Sequence, residues 1–394
     1  MLKMKEQCNT LFFLCVLFFF TPSASPQNNE SLNSARKSFL RGNFSDKLHV
    51  INSIPEDSKE QESLITDAAR FVLAADPFFI DDEEFLTLAS AIIRRCNPEK
   101  KEDVAILETM YAETKTPELK LTILTTLTKN KPLSEAITQQ ILEYLNTIVF
   151  TNKTYTAKHL ENTLKIAKKA NNPVFFPVFF ETYSKSEDST IKNLAKEGID
   201  SLAPEYKEEV VTVLKNNPVR EKLLVLDCVL QNDKNSDGFK AEIAEYALRN
   251  AILQTGNVAD TTPAIVDLQL TAVKTLQTLS WTRSASTVEN FFDIATKEFE
   301  HNIMNEEQFI ISLSAFADLV PTNASIVLTN YLGTCNSQLE ANGTFSKPVV
   351  LAVIQTLGNL GNRVAFDNLL YATYLEYPET ILSAARDALV KLKW

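Results

Sequence analysis

The sequence predicts an all-α fold in which paired amphipathic helices stack side by side as an α-solenoid, and three observations predict it. Apolar residues recur at three- and four-residue spacing, as in Leu121, Leu124 and Leu127, or Leu223, Leu226, Val229 and Leu230, whereas strand-like alternation is hard to find. Prolines stand where such stretches begin, at Pro77, Pro98, Pro117, Pro132, Pro173, Pro204, Pro218, Pro263, Pro321, Pro348 and Pro378, where a helix tolerates a missing N–H. One apolar template also returns along the chain: Leu270, Val273, Leu276 and Leu279 reappear at an offset of 40 as Ile310, Leu313, Phe316 and Leu319, and at an offset of 81 as Leu351, Ile354, Leu357 and Leu360. A period near 40 suits a unit of two helices and two turns.

Taken in order, residues 1–25 read as a cleaved secretory signal. Lys3 and Lys5 supply the positive start, Leu11 to Phe20 is an unbroken apolar run, and Ser23, Ala24 and Ser25 are small residues suited to cleavage. Ten apolar residues are too few to span a bilayer, which takes about 20, and no later stretch is long and apolar enough to do so. Residues 26–55 read as an N-terminal segment that caps the first repeat. From there to residue 394 the chain reads as one helical array, with helical stretches of 12 to 17 residues and short polar breaks. Asp81, Asp82, Glu83 and Glu84 stand at a helix start, where carboxylates meet the positive end of the helix dipole. Phe175, Phe176, Phe179, Phe180 and Tyr183 fall within one helical arc and read as core. Two longer polar stretches, 254–263 and 340–347, read as inter-helix loops, the first being where the array would subdivide. Tyr371, Tyr374 and Tyr377 fall with Phe366 and Leu370 on the apolar half of one helix.

The C-terminal part carries a resemblance. Pro348 to Gly361 (PVVLAVIQTLGNLG), followed by Ala384 to Leu392 (AARDALVKL), resembles the second-helix pattern of HEAT repeats, a fair match over residues 348–392 and a weaker one over 263–320. The Asp and Arg positions usual in strong HEAT units are mostly missing. Before residue 263 only the period carries the likeness, so the N-terminal half has room for another all-helical arrangement. The resemblance implies a right-handed solenoid whose partners lie along a concave face lined by the second helix of each pair.

The composition narrows the function. Eight glycines in 394 residues, about 2% against a usual ~7%, leave little means of building loops that cradle phosphates. A net charge of −11 with no basic stripe predicts no nucleic-acid partner; Arg94 with Arg95 and Lys168 with Lys169 read as solvated helix faces. His49, His159 and His301 form no catalytic or metal pattern, and nucleophile-elbow, P-loop and dinucleotide fingerprints are absent. Cys96, Cys228 and Cys335 read as buried thiols. Asp233, Asn235 and Asp237, with Gly238, copy the first half of an EF-hand calcium loop, but position 12 is Ala244 where a bidentate Glu is needed. The competing reading of that segment is a polar turn that caps the next helix.

These readings lead to the expectation of an exported, periplasmic or envelope-associated protein that binds or scaffolds protein partners, without catalysis, metal or cofactor. The rival expectation is an exported all-helical glycosidase or lyase of the toroidal type. It would need convergent carboxylates, and it would ordinarily use more Trp and Gly than the two and eight present.

Overall fold

The computed structural model describes residues 29–55, 62–129, 135–151, 157–255, 258 and 261–393. The expected signal segment, Pro132 and Trp394 lie outside the described residues. Among these residues there are twenty helices and no strand, so the chain is all-α as expected. Contacts divide it into two compact units, Met1–Ser201 and Leu202–Trp394.

The first unit holds α1 (Asn29–Arg41), α2 (Phe44–Ser53), α3 (Glu62–Ala75), α4 (Glu83–Arg95), α5 (Lys101–Glu113), α6 (Pro117–Leu127), α7 (Glu135–Thr151), α8 (Ala157–Ala170), α9 (Phe176–Lys185) and α10 (Ser189–Ser201). The second holds α11 (Lys207–Asn216), α12 (Val219–Gln231), α13 (Asp237–Gln254), α14 (Pro263–Thr278), α15 (Ala285–Glu300), α16 (Glu306–Leu319), α17 (Pro321–Glu340), α18 (Lys347–Leu360), α19 (Phe366–Ala372) and α20 (Glu379–Lys391). Helix lengths run from 7 to 20 residues, a wider spread than the sequence suggests.

Starts and stops are local. Pro117, Pro263 and Pro321 are the first residues of their helices, and Asn43, Asp82, Ser236, Asn305 and Ser346 cap others by accepting backbone N–H bonds. Some helices stop at a left-handed residue, and this glycine-poor chain mostly supplies it without glycine. Asn171, Ser280, Asn302 and Asn342 have positive φ just past α8, α14, α15 and α17, and Gly361 does so past α18.

Within each unit the helices form two layers. In the first unit α2, α4, α6, α8 and α10 pack in succession as one layer, and α3, α5, α7 and α9 as the other. In the second, α12, α14, α16, α18 and α20 pack in succession; α11, α13 and α15, and then α17 and α19, make the opposing layer. The template found in the sequence marks this layer: its copies lie on α14, α16 and α18, and Leu223, Leu226 and Val229 on α12 and Ala384, Ala385 and Leu389 on α20 fit it too, as do Leu121, Leu124 and Leu127 on α6 in the corresponding layer of the first unit. The 254–263 stretch joins α13 to α14, which pack directly on each other inside the second unit.

Packing follows the pattern. Leu226, Val273, Leu313 and Ile354 occupy one template position on α12, α14, α16 and α18, and each is no more than 1% exposed. At the matching position on α20 stands Arg386, exposed and paired with Glu379, on a side that no further helix covers among the described residues. α18 and α20 approach closely at Gly358, where an added Cβ would lie 2.8 Å from the Ala388 Cβ. In the first unit the aromatic run is core as predicted, with Phe175, Phe176, Phe179 and Phe180 all buried, and Gly198 on α10 leaves room for the Phe179 ring.

Two expectations are corrected. Arg95 is half-buried rather than freely solvated: its guanidinium turns back to donate to the carbonyls of Ile51 and Ile54 and so closes the C-terminal end of α2. The tyrosine stripe is broken, because α19 ends at Ala372, so Tyr374 is 76% exposed while Tyr377 is buried and donates to Asn336 Oδ1 at 3.0 Å.

Candidate interaction surface

The template that marks the core of the second unit also marks its free face. One residue beyond the buried Val273 lies Lys274, and the equivalent residues are Asp227 on α12, Ser314 on α16, Gln355 on α18 and Asp387 on α20. Four residues further along stand Gln231, Thr278, Asp318, Asn359 and Lys391. All ten are exposed except Asp227 and Ser314, which are half-buried. Positions i and i+4 share a helix face, so the two rows cross one side of the layer.

The rows are linked laterally. Gln277 on α14 donates through Nε2 to Ser314 Oγ at 3.0 Å and to Asp318 Oδ2 at 2.6 Å on α16. Lys391 on α20 donates to Asn359 Oδ1 on α18 at 3.3 Å. The surface is therefore a lattice of amides, hydroxyls and charges of both signs, with no large exposed apolar side chain in either row. Burial pushes the Asp227 carboxyl above its ordinary range.

Similar links recur elsewhere at one repeat's separation. In the first unit Thr66 of α3 donates to Asp103 Oδ1 of α5 at 2.6 Å, and Arg36 of α1 to Asp67 of α3 at 3.0 Å. In the second, Asn323 of α17 donates to Glu289 of α15 at 3.1 Å, and Asn368 of α19 donates to the Thr329 carbonyl of α17 at 2.9 Å.

The half EF-hand does not converge. Asn235 is buried, and its Nδ2 donates to Tyr206 Oη at 2.7 Å and to the Val229 carbonyl at 2.9 Å, while Asp233 and Asp237 are exposed. Ser236 caps α13 by accepting from Phe239 N at 3.2 Å, and Asp237 is the first residue of that helix. Among the described residues no group of three or more His, Cys, Asp and Glu side chains is placed to hold a metal ion. In the acidic run Asp82 caps α4 through Phe85 N at 3.1 Å, with Glu83 and Glu84 in its first turn. His49 is exposed, and His301 is exposed with Nδ1 at 2.8 Å from the Lys297 carbonyl. Cys96, Cys228 and Cys335 are free and buried, and burial raises the Cys335 thiol to about 11. No helix among the described residues is long and apolar enough to cross a membrane.

No family model matches the chain, and no curated protein does. Six chains among the solved structures match. One, described as "Computational Design of Self-Assembling Cyclic Protein Homooligomers", covers 84% of this chain and 94% of its own at 12% identity, with a TM-score of 0.11. So poor a superposition carries no argument.

The rows escaped the sequence reading, although the aligned apolar template contained them one and five residues after its second position. The residues that fill them share no chemical type, so only burial separates them from the core.

Proposed function

We propose that this is an exported, non-catalytic binding or scaffolding protein. In this reading the helices of each unit form a right-handed, HEAT-like solenoid, and the free face of α12, α14, α16, α18 and α20 is the concave, partner-facing side. The observation that carries it is the set of lateral links Gln277–Ser314, Gln277–Asp318 and Lys391–Asn359, side chains held by neighbours about one repeat away yet still open to solvent, with exposed Lys274 and Gln355 beside them. A surface pre-ordered in this way loses little side-chain entropy on association. Its mixed charge and many amides suit a protein partner better than the phosphate backbone of a nucleic acid. The apolar segment before Ser25 supports export to the periplasm or cell envelope.

The test is cross-linked capture of the full chain from its native envelope, comparing wild type with a variant carrying Lys274→Glu and Gln355→Arg. Both substitutions are on the surface, so folding stability should hold, within about ±0.5 kcal/mol per site. We expect the wild type to capture a defined protein that the variant loses. An identical capture profile for the two proteins, or a chain found in the cytoplasm with residues 1–25 retained, contradicts the proposal.

A further inference from the structure

Glu298, on α15, is fully buried in the second unit. Gln269 of α14, also fully buried, donates through Nε2 to its Oε1 at 3.1 Å. Glu298 Oε2, Gln269 Oε1 and the Thr261 hydroxyl oxygen are then left buried without a hydrogen-bonded partner. An ionised carboxylate only accepts, so the ionised form would bury a negative charge with only neutral donors beside it, the Gln269 amide and the Thr261 hydroxyl, and strand the amide oxygen as well, both costly. A protonated carboxyl resolves the two together. Its Oε2–H would be a donor for Gln269 Oε1, so that each side chain would donate once and accept once.

No charge nearby offers another solution. On α13, Glu242 pairs with Lys207, Glu245 receives Arg249 and Trp281, Lys240 and Tyr246 are half-exposed, and Asp237 is at the surface. On α14, Asp267 and Lys274 are exposed; on α16, Glu306 receives Ser346, Asp318 receives Gln277, and Glu307 is exposed. On α15 itself Glu289 receives Asn323, and Asp293, Lys297 and Glu300 are exposed. Burial pushes the Glu298 carboxyl up, opposed by the Gln269 amide and the nearby Thr261 hydroxyl. The Glu298 carbonyl also accepts from Ile303 N at 2.8 Å and Met304 N at 3.2 Å, so the residue anchors the turn that leads to α16.

We propose that Glu298 is held as the neutral acid, joined to Gln269 by two hydrogen bonds, and that its ionisation releases this pair and loosens the junction of α14, α15 and the Thr261 loop. The device is a proton-controlled clasp. On ionisation the Oε2 proton passes to solvent and the bond to Gln269 Oε1 is lost. Because the folded carboxyl titrates above its unfolded counterpart, the clasp contributes fully below the unfolded glutamate value of about 4.3 and is lost as pH rises through the folded one.

The experiment is carboxyl-carbon NMR of the full chain with 13C-labelled glutamate, paired with thermal melts of wild type and Glu298→Gln between pH 4 and 9. One glutamate signal should keep the protonated shift at pH 6 and disappear in the variant. The variant holds an amide pair at every pH, so its melting temperature should gain on the wild type as pH rises, by about 3–5 °C for each pH unit of the shifted window. If every glutamate titrates in the ordinary range, or the gap between the two proteins is independent of pH, the proposal is overturned. Should the variant not fold, the wild-type spectrum decides alone.

Discussion

At the scale of single residues, the glycines show how context sets the sign of a substitution. Alanine normally stabilises a helix by about 1 kcal/mol over glycine. At Gly198 an added Cβ would lie 2.6 Å from the Phe179 ring, while at Gly238 it would meet nothing within 4 Å. Overpacking a tight core costs about 1–3 kcal/mol, which outweighs the propensity gain. Gly198→Ala should therefore lower the melting temperature by a few degrees, and Gly238→Ala, in the first turn of α13, should raise it slightly, through up to about 1 kcal/mol of added stability. Differential scanning calorimetry of the two variants reads both signs; a stabilised Gly198→Ala would mean that α9 and α10 are not so closely packed. Buried polar residues are equally contextual. Lys222 is 1% exposed, yet its ammonium donates to Asn250 Oδ1 at 2.8 Å and reaches the Lys215 carbonyl at the end of α11, so one cation ties three helices.

At the scale of elements, Arg95 acts on a helix other than its own. Its two donors reach the carbonyls of Ile51 and Ile54 at the end of α2, which leaves α2 a cationic fork where its dipole is negative. Hydrogen bonds to charged groups contribute about 1.5–3 kcal/mol, so Arg95→Met should lose about 2 kcal/mol in urea denaturation. Arg95→Lys should recover only part of that, because an ammonium cannot present the planar fork; full recovery would show that charge alone matters. The sequence placed Arg95 on α4 but gave no sign of this partner, since α2 and α4 are neighbours only once α3 has folded beside them. The calcium-like segment behaved in the same way. Its spacing was readable, but whether Asn235 faces outward to an ion or inward to Tyr206 depends on the interior beneath it.

At the scale of the whole molecule, each unit is layered so that most helices are covered by neighbours before and after them, while α20 packs on α18 and α19 and the seven-residue α19 is short. Stability in such stacks is roughly a sum of repeat and nearest-neighbour terms. Amide hydrogen exchange should therefore be slowest in α14 and α16 and fastest in α19 and α20 of the second unit. Uniform protection across these helices in a mass-spectrometric exchange experiment would mean that the unit opens only globally.

Helix type, helix starts and the identity of the layer on α12, α14, α16, α18 and α20 were determined by the sequence alone. Periodic apolar spacing, prolines at first turns and capping Asn, Asp or Ser act over a few residues and need nothing distant. The direction of Arg95, the pairing of Glu298 with Gln269 and the exposure of Lys274 and Gln355 were decided only by tertiary structure. Each partner or covering surface is separated by about a repeat's length of chain, and a polar side chain carries no local mark of whether folding will bring it water, a carbonyl or another helix.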